Sequence, residues 1–80
     1  MLEKDDPPAR RPALYRPLAS RELECLFWVC RGKSSRDIGT ILGLSPRTVD
    51  SYVASAMAKL QAKTRVEAVA VAVAYGYIKA

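Results

Sequence analysis

Residues 34–49 read SSRDIGTILGLSPRTV and carry the signals of two helices joined by a tight turn. Ser34 or Ser35 can cap the first of these helices, and Ser34 and Asp37 have the three-residue spacing of a capping box. Gly43 suits the left-handed conformation that ends a helix. This stretch therefore predicts a short helix followed at once by a change in chain direction.

The second helix of the pair should begin directly after the turn Gly43-Leu44-Ser45. Ser45 can cap it, and Pro46 occupies the first helical position, where its missing N–H donor is harmless. Apolar spacing extends this helix to about Leu60. The expected buried residues of the pair are Ile38, Ile41, Leu42, Val49, Tyr52 or Val53, Ala56, Met57 and Leu60.

A glycine within the shorter helix indicates how closely that helix is packed. Gly39 lowers helix stability by about 1 kcal/mol relative to alanine. Its presence indicates that another backbone approaches closely at this point, as at a tight helix crossing.

A further helix is predicted upstream of the pair, from about Ser20 to Arg31. Ser20 can cap it and Gly32 provides a natural stop. Its apolar positions follow the one-face spacing of an α-helix, at Cys25, Leu26, Val29 and Cys30. Phe27 and Trp28 fall partly off this stripe, which suggests a second contact with a partner surface or with the N-terminal residues.

A fourth helix is predicted from Thr64, which forms a capping-box spacing with Glu67, to Gly76. The alternation of valine and alanine over 66–74 would by itself favour a strand, but the capping signal, the terminal glycine and the helical context favour a helix. This helix is apolar nearly all round, so one face should pack on the domain and another on a second copy. The expected dimerisation residues are Val66, Val69, Ala70, Val73 and Tyr77.

Residues 1–17 differ in composition from the rest, with four of the chain's five prolines among charged residues. Proline fixes φ and removes a donor, so this stretch is interpreted as a flexible tail or linker. Three interpretations of this stretch are possible: a tether to another domain, a basic arm that places Arg10, Arg11 and Arg16 on DNA, or a frayed terminus. Residues 18–80 form the predicted domain.

Composition narrows the class of partner. The 80 residues include 13 Lys or Arg against 8 Asp or Glu, a net charge of +5, and about +4 of it falls from Leu18 onward. This excess suits a polyanion, although ordinary surface solvation would explain it equally well.

Several other functions are not expected. Cys25 and Cys30 would lie about 7.5 Å apart along one helix, too far for a disulfide, and both are interpreted as small buried hydrophobic residues of a reduced protein. Without histidine, two cysteines cannot complete a tetrahedral zinc site. We predict no metal, no cofactor, no small-molecule ligand and no enzymatic activity, since the carboxylates are scattered and no general-base histidine exists. No apolar run is long enough to cross a bilayer, and no signal peptide is evident, so a cytoplasmic location is expected.

The chemistry of the predicted pair of helices points to duplex DNA. The second helix of such a motif can enter a major groove, and its N-terminus offers Ser45, Arg47 and Thr48 to phosphates or base edges. Basic and hydroxyl residues precede the shorter helix, at Lys33, Ser34, Ser35 and Arg36. Further basic residues are expected beyond the far end of the longer helix, at Lys59, Lys63 and Arg65.

The sequence of residues 18–80 resembles the LuxR-type (GerE-like) helix-turn-helix domain of bacterial transcriptional regulators. The resemblance rests on Arg21-Glu22, Trp28, Gly32-Lys33-Ser34, Asp37-Ile38, Ile41-Leu42-Gly43-Leu44-Ser45, Arg47-Thr48-Val49, Lys59-Leu60, Arg65 and Ala68-Val69. It implies an all-α, four-helix fold: a winged-helix-like three-helix core with a C-terminal dimerisation helix. It also implies binding of double-stranded DNA by homodimers.

The resemblance also implies roles for individual residues. Lys59 matches a lysine that contacts the DNA backbone, and Glu22 matches an acidic residue that ties the first helix to a basic residue further along. The positions of Asp50, Ser51 and Ala54 lie on the face that reads bases, with Ser55 as a further candidate. The family often has Lys or Arg where Asp50 and Ala54 stand, and it usually has Thr where Ala19 stands, so Ser20 is expected to cap the first helix.

A second function is weighed against DNA binding. The departures at Asp50 and Ala54, an exposed Trp28 and the apolar last helix would also fit a protein that acts through protein contacts. Such a chain would be an anti-regulator that forms heterodimers through its last helix. RNA polymerase or a partner regulator is a further candidate partner.

Overall fold

The computed structural model describes residues 18–79, and the predictions for the tail 1–17 and for Ala80 lie outside them. Four helices follow one another: α1 (Ser20–Cys30), α2 (Ser35–Leu42), α3 (Pro46–Leu60) and α4 (Arg65–Ala74). Residues 18–79 contain no strand, so the all-α prediction is confirmed and the strand alternative for 66–74 is wrong.

Short-range capping sets the start of three helices. Ser34, Ser45 and Thr64 each accept a hydrogen bond from the backbone N–H three residues later, at 3.1, 3.1 and 3.0 Å. Each side chain thereby satisfies one of the N–H groups that the first turn of a helix leaves without a partner. The serine that caps α2 is therefore Ser34, which decides between the two serines considered.

The start of α1 differs from the sequence prediction. Ser20 is the first helical residue, and the N-cap position is Ala19, which has no side-chain oxygen to accept a hydrogen bond. Glu22 supports this end instead, because its Oε1 accepts the Ala19 N–H at 2.8 Å. At the other end α1 stops at Cys30, and Gly32 follows with φ of 83°. The helix thus begins without the hydroxyl cap that was expected.

The turn between α2 and α3 has the predicted form. Gly43 adopts a left-handed conformation with φ of 73°, and the Leu44 N–H then donates to the Gly39 carbonyl at 2.8 Å. A Cβ atom built on Gly39 would collide with the Leu44 carbonyl oxygen. The close backbone approach inferred from this glycine is confirmed, and it is the returning turn that makes it.

The core consists of two apolar clusters. The turn cluster packs α1, α2 and α3 around the buried residues Cys25, Ile38, Val49 and Val53. The C-terminal cluster packs α1, α3 and α4 around the buried residues Leu26, Ala56, Leu60, Ala68, Ala72 and Ile78. Met57 lies against both, half-buried rather than fully buried, and Leu42 and Tyr52 are half-buried beside the turn cluster.

Three further residues depart from the expected burial. Ile41 is 44% exposed, because α2 is short and only one side of it meets α1 and α3. Cys30 is half-buried, whereas Cys25 is fully buried, and both are free thiols. Trp28 is half-buried against the turn cluster, its ring edge-on to Phe27 at 5.0 Å between centroids, so it is not the exposed residue that was expected.

The fourth helix ends two residues earlier than predicted. Its last residue is Ala74, Tyr75 is the C-cap, and Gly76 follows with φ of 78°.

Within residues 18–79, no helix is long and apolar enough to cross a membrane.

Candidate nucleic-acid interface

One face of α3 is exposed along its length. Val49, Val53, Ala56 and Leu60 are buried on one side, so the residues between them are turned outward. At 15 residues, α3 is about 22 Å long. The outward side chains are short or polar, at Arg47, Asp50, Ser51, Ala54 and Ala58. A narrow helix face of this kind, held on a rigid turn, can enter the DNA major groove.

The N-terminus of α3 is partly occupied by its own cap. The Ser45 hydroxyl accepts the Thr48 N–H, and the hydroxyls of Ser45 and Thr48 lie 2.9 Å apart. Ser45 is exposed and Thr48 is half-buried. Arg47 projects from the first turn beside them, so this end presents one cation and a pair of linked hydroxyls.

Basic residues both precede and follow α3 in the sequence. Lys33 and Arg36 lie at the start of α2, and Lys63 lies just after α3; all three are exposed. Within residues 18–79 their side chains form no ion pair, and the same holds for Arg47. These four positive charges are therefore available for phosphate oxygens.

Lys59 occupies a different environment from these four residues. Its Nζ donates to Oε1 of Glu22 at 3.0 Å, and its side chain is 23% exposed. The pairing that the resemblance implied for Glu22 is thus present, between α1 and α3. Contact between Lys59 and a DNA backbone stays a prediction, and the ammonium would have to make it while paired.

Glu22 is the buried charged residue of the core, with 5% of its surface exposed. Burial raises the pKa of its carboxyl group, but hydrogen bonds from the Ser55 hydroxyl and the Ala19 N–H and the charge of Lys59 outweigh burial and lower the pKa overall. The Ser55 hydroxyl donates to Oε2 at 2.5 Å. Ser55, expected as a candidate base contact, is therefore half-buried and directed towards α1.

Asp50 lies on the exposed face but has partners from two other helices. Its Oδ1 accepts a hydrogen bond from the Ser35 hydroxyl and another from Nη2 of Arg65, the latter at 2.6 Å. Arg65 Nη2 also donates to the Ser35 hydroxyl at 3.3 Å. The Ser35 hydrogen bond and then the Arg65 guanidinium lower the pKa of Asp50. We name these three residues the Asp50 triad.

The sequence had not indicated this triad. Arg65 was expected beyond the far end of α3, but its side chain reaches Asp50 near the beginning of that helix. The spacing between 50 and 65 carries no local signal, because the contact depends on how α4 packs across α3. The triad joins the first residues of α2 and α4 to the second turn of α3.

Comparison with known proteins identifies the fold. The family model described as "Bacterial regulatory proteins, luxR family" matches residues 16–72. The chain belongs to this family. The match confirms the resemblance to the LuxR-type helix-turn-helix domain of transcriptional regulators.

Individual LuxR-family relatives align with most of this chain. It is 46% identical over 61 residues to the transcriptional activator protein LuxR of Aliivibrio fischeri, covering 76% of this chain and 24% of that protein. It is 43% identical over 61 residues to the transcriptional activator protein VanR of Vibrio anguillarum, covering 76% and 25%. With the transcriptional activator protein AhyR of Aeromonas hydrophila it shares 36% identity over 77 residues, covering 96% and 27%. The chain thus spans about a quarter of the length of these relatives.

The residues predicted for LuxR-family dimerisation lie along one side of α4 and just beyond it. Val66 is 79% exposed, Ala70 is exposed, and Tyr77 is 36% exposed. Val69 and Val73 are half-buried at the edge of the C-terminal cluster. Ala68 and Ala72 are fully buried on another side of α4. The five predicted residues therefore form a stripe that is exposed in part and borders the C-terminal cluster at Val69 and Val73. We call it the α4 stripe.

Proposed function

We propose that this chain binds duplex DNA for a transcriptional regulator, with α3 in the major groove. The observation that carries the proposal is the exposed face of α3, with cations before, on and after it that form no ion pair within residues 18–79. Helix α2 packs against α3 and is joined to it by a short turn, as is typical of a helix-turn-helix motif. The basic residues at the start of α2 can hold the sugar-phosphate backbone. Arg47 would contact a base edge or phosphate, and Ser51 and Ala54 would face the base pairs.

On this proposal, the residues expected from the sequence to contact DNA divide into three groups. Backbone contacts fall to Lys33, Ser34, Arg36, Ser45, Thr48 and Lys63. Base contacts fall to Arg47, Asp50, Ser51 and Ala54. Ser35, Ser55 and Lys59 act mainly through other side chains, because each is bonded to Asp50 or Glu22.

Arg47→Ala is expected to weaken binding to the preferred DNA sequence about tenfold, because an arginine in the groove commonly makes a bidentate contact to guanine. Lys79→Ala removes the same charge from an exposed position near the C-terminus and is the matched control. Fluorescence anisotropy with a duplex selected by the wild-type protein measures both. Equal affinities for the two variants would contradict the placement of Arg47 in the groove.

We further propose that two copies associate through the α4 stripe. The stripe is apolar and exposed at Val66, Ala70 and Tyr77, and exposed apolar surface of this kind is typical of contact sites. A symmetric dimer would present two copies of α3 to half-sites about 10 bp apart. Heterodimers with another regulator, and contact with RNA polymerase, stay predictions from the sequence.

Val66→Asp is expected to convert the dimer to a monomer without unfolding it, because Val66 is 79% exposed in one copy and an aspartate in an apolar interface would be desolvated. Ser20→Asp adds the same charge at an exposed position on α1 and serves as the control. Sedimentation equilibrium gives the mass, and circular dichroism the helix content. A wild-type chain that stays monomeric at high concentration, or a dimeric Val66→Asp variant, would contradict the interface.

The protein-contact alternative has lost part of its basis. Trp28 packs against the turn cluster instead of standing exposed. The negative charge of Asp50, which would repel DNA, is matched by Arg65 at 2.6 Å. The apolar α4 stripe fits both functions and does not favour the alternative.

A further inference from the structure

We propose that Asp50 reads a base amino group in the major groove and that Ser35 and Arg65 are its positioning residues. This inference rests on the proposed DNA binding and adds a base preference to it. An isolated carboxylate on a helix face would be repelled by the phosphates, so its presence on the exposed face of α3 needs a physical reason. The Asp50 triad supplies one.

The two oxygens of the carboxylate are used unequally. Both hydrogen bonds, from Ser35 and from Arg65, are made to Oδ1. Within residues 18–79 no hydrogen bond is made to Oδ2, and the Asp50 side chain is 54% exposed. One oxygen is therefore fixed by the protein and the other is left to accept a hydrogen bond from outside.

The charge of the carboxylate is balanced in place. The Arg65 guanidinium donates to it through Nη2, and the Arg65 side chain is itself 41% exposed. An exposed ion pair contributes little to folding stability, because solvent screens it and both side chains lose freedom. The Arg65–Asp50 pair acts instead on the exposed face of α3. There it offsets the negative charge of the Asp50 carboxylate and restricts the rotation of that side chain.

The chemistry of base edges identifies the ligand. In the major groove the hydrogen-bond donors are the N4 amino group of cytosine and the N6 amino group of adenine, and a carboxylate pairs best with cytosine. Adenine also presents its N7 acceptor, which an acceptor-only carboxylate cannot satisfy. Asp50 should therefore favour cytosine at one position of each half-site.

The Asp50 triad can be tested by selecting binding sites from random duplexes with the wild-type protein and its variants. The wild-type protein is expected to enrich cytosine at one position, with about a tenfold preference over other bases. Asp50→Ala should abolish the preference at that position alone. Asp50→Asn should shift it to adenine, because an asparagine amide can donate to N7 and accept from N6.

The positioning residues give an independent readout. Ser35→Ala and Arg65→Ala should weaken the cytosine preference at the position that Asp50→Ala affects, and Arg65→Lys should partly restore it by keeping the charge. Ser51→Ala is the matched control, since Ser51 is exposed on the same face and its side chain makes no hydrogen bond to the triad within residues 18–79. It should alter a different position. Overlaid thermal unfolding curves would show that each variant is folded.

Two results would overturn the inference while leaving the proposed DNA binding intact. One is an unchanged selected sequence for Asp50→Ala and Asp50→Asn. The other is tighter binding of both variants to every sequence with a steeper salt dependence, which would mean that Asp50 merely withholds Arg65 from a phosphate. If neither the wild-type protein nor any variant binds DNA, the proposed function fails and the inference fails with it.

Discussion

Gly39→Ala is expected to destabilise the domain by about 2–4 kcal/mol. The added Cβ would collide with the backbone carbonyl oxygen of Leu44 and come within 3.5 Å of the Pro46 nitrogen. Neither atom can move easily, because the Leu44 N–H is bonded to the Gly39 carbonyl and α3 begins at Pro46. The better helix propensity of alanine returns only about 1 kcal/mol.

The control for this substitution is another glycine in the same motif. Gly43→Ala meets no atom within 4 Å, so its cost comes from the left-handed φ of 73° alone, about 1–2 kcal/mol. Urea denaturation at neutral pH, followed by circular dichroism, compares the two free energies of unfolding. A Gly39→Ala variant as stable as wild type would show that α2 and the turn do not pack as closely as described.

Glu22→Ala is expected to lower the free energy of unfolding by about 3 kcal/mol. The substitution removes the acceptor of three hydrogen bonds, from Ala19, Ser55 and Lys59. Lys59 would keep its charge in a site where its side chain is 23% exposed. Leaving a partly buried charge without its partner costs more than the pair itself contributes.

The matched control is Glu24→Ala, which breaks the exposed Arg21–Glu24 pair of the same helix and should change stability by less than about 1 kcal/mol. Urea denaturation of both variants tests the difference. Equal effects would mean that the network around Glu22 does not hold α1 to α3.

Glu22 also gives the domain an acid sensitivity. Its folded-state pKa lies below its ordinary value of 4.5, so the unfolded state binds more protons at acidic pH. The resulting stability is fully present above about pH 4.5 and is lost as the pH falls through the folded-state pKa. Glu22→Gln removes this contribution, so its free energy of unfolding should fall less between pH 7 and pH 3 than that of the wild type.

The helix pair could be predicted from sequence because its signals are local. A serine cap, a glycine in the left-handed conformation and a proline at the first helical position each act within a few residues. The turn between α2 and α3 could therefore be predicted from Ser45 and Gly43. The cap of α1 was misassigned because Ala19 offers no side-chain signal, and the stabilising group, Glu22, also serves residues on α3.

The candidate site was less predictable, since its contacts depend on tertiary packing. Ser55 has the polarity of a surface residue, and its direction towards Glu22 follows from the packing of α1 on α3. Arg65 and Asp50 are 15 residues apart and meet only because α4 packs across α3. Ile41 has the spacing of a core residue, but α2 is too short and too peripheral to bury it.

The most direct measurement is a titration of mixed-sequence duplex DNA with this protein between 50 and 200 mM salt. The three cations assigned to the sugar-phosphate backbone, Lys33, Arg36 and Lys63, make no ion pair within residues 18–79. A dimer would therefore bring about six to the phosphates, and log affinity should fall with log salt at a slope of about −5. A steep linear fall of this kind is the predicted result. Absence of binding at the lowest salt concentration would contradict a DNA-binding function for this chain.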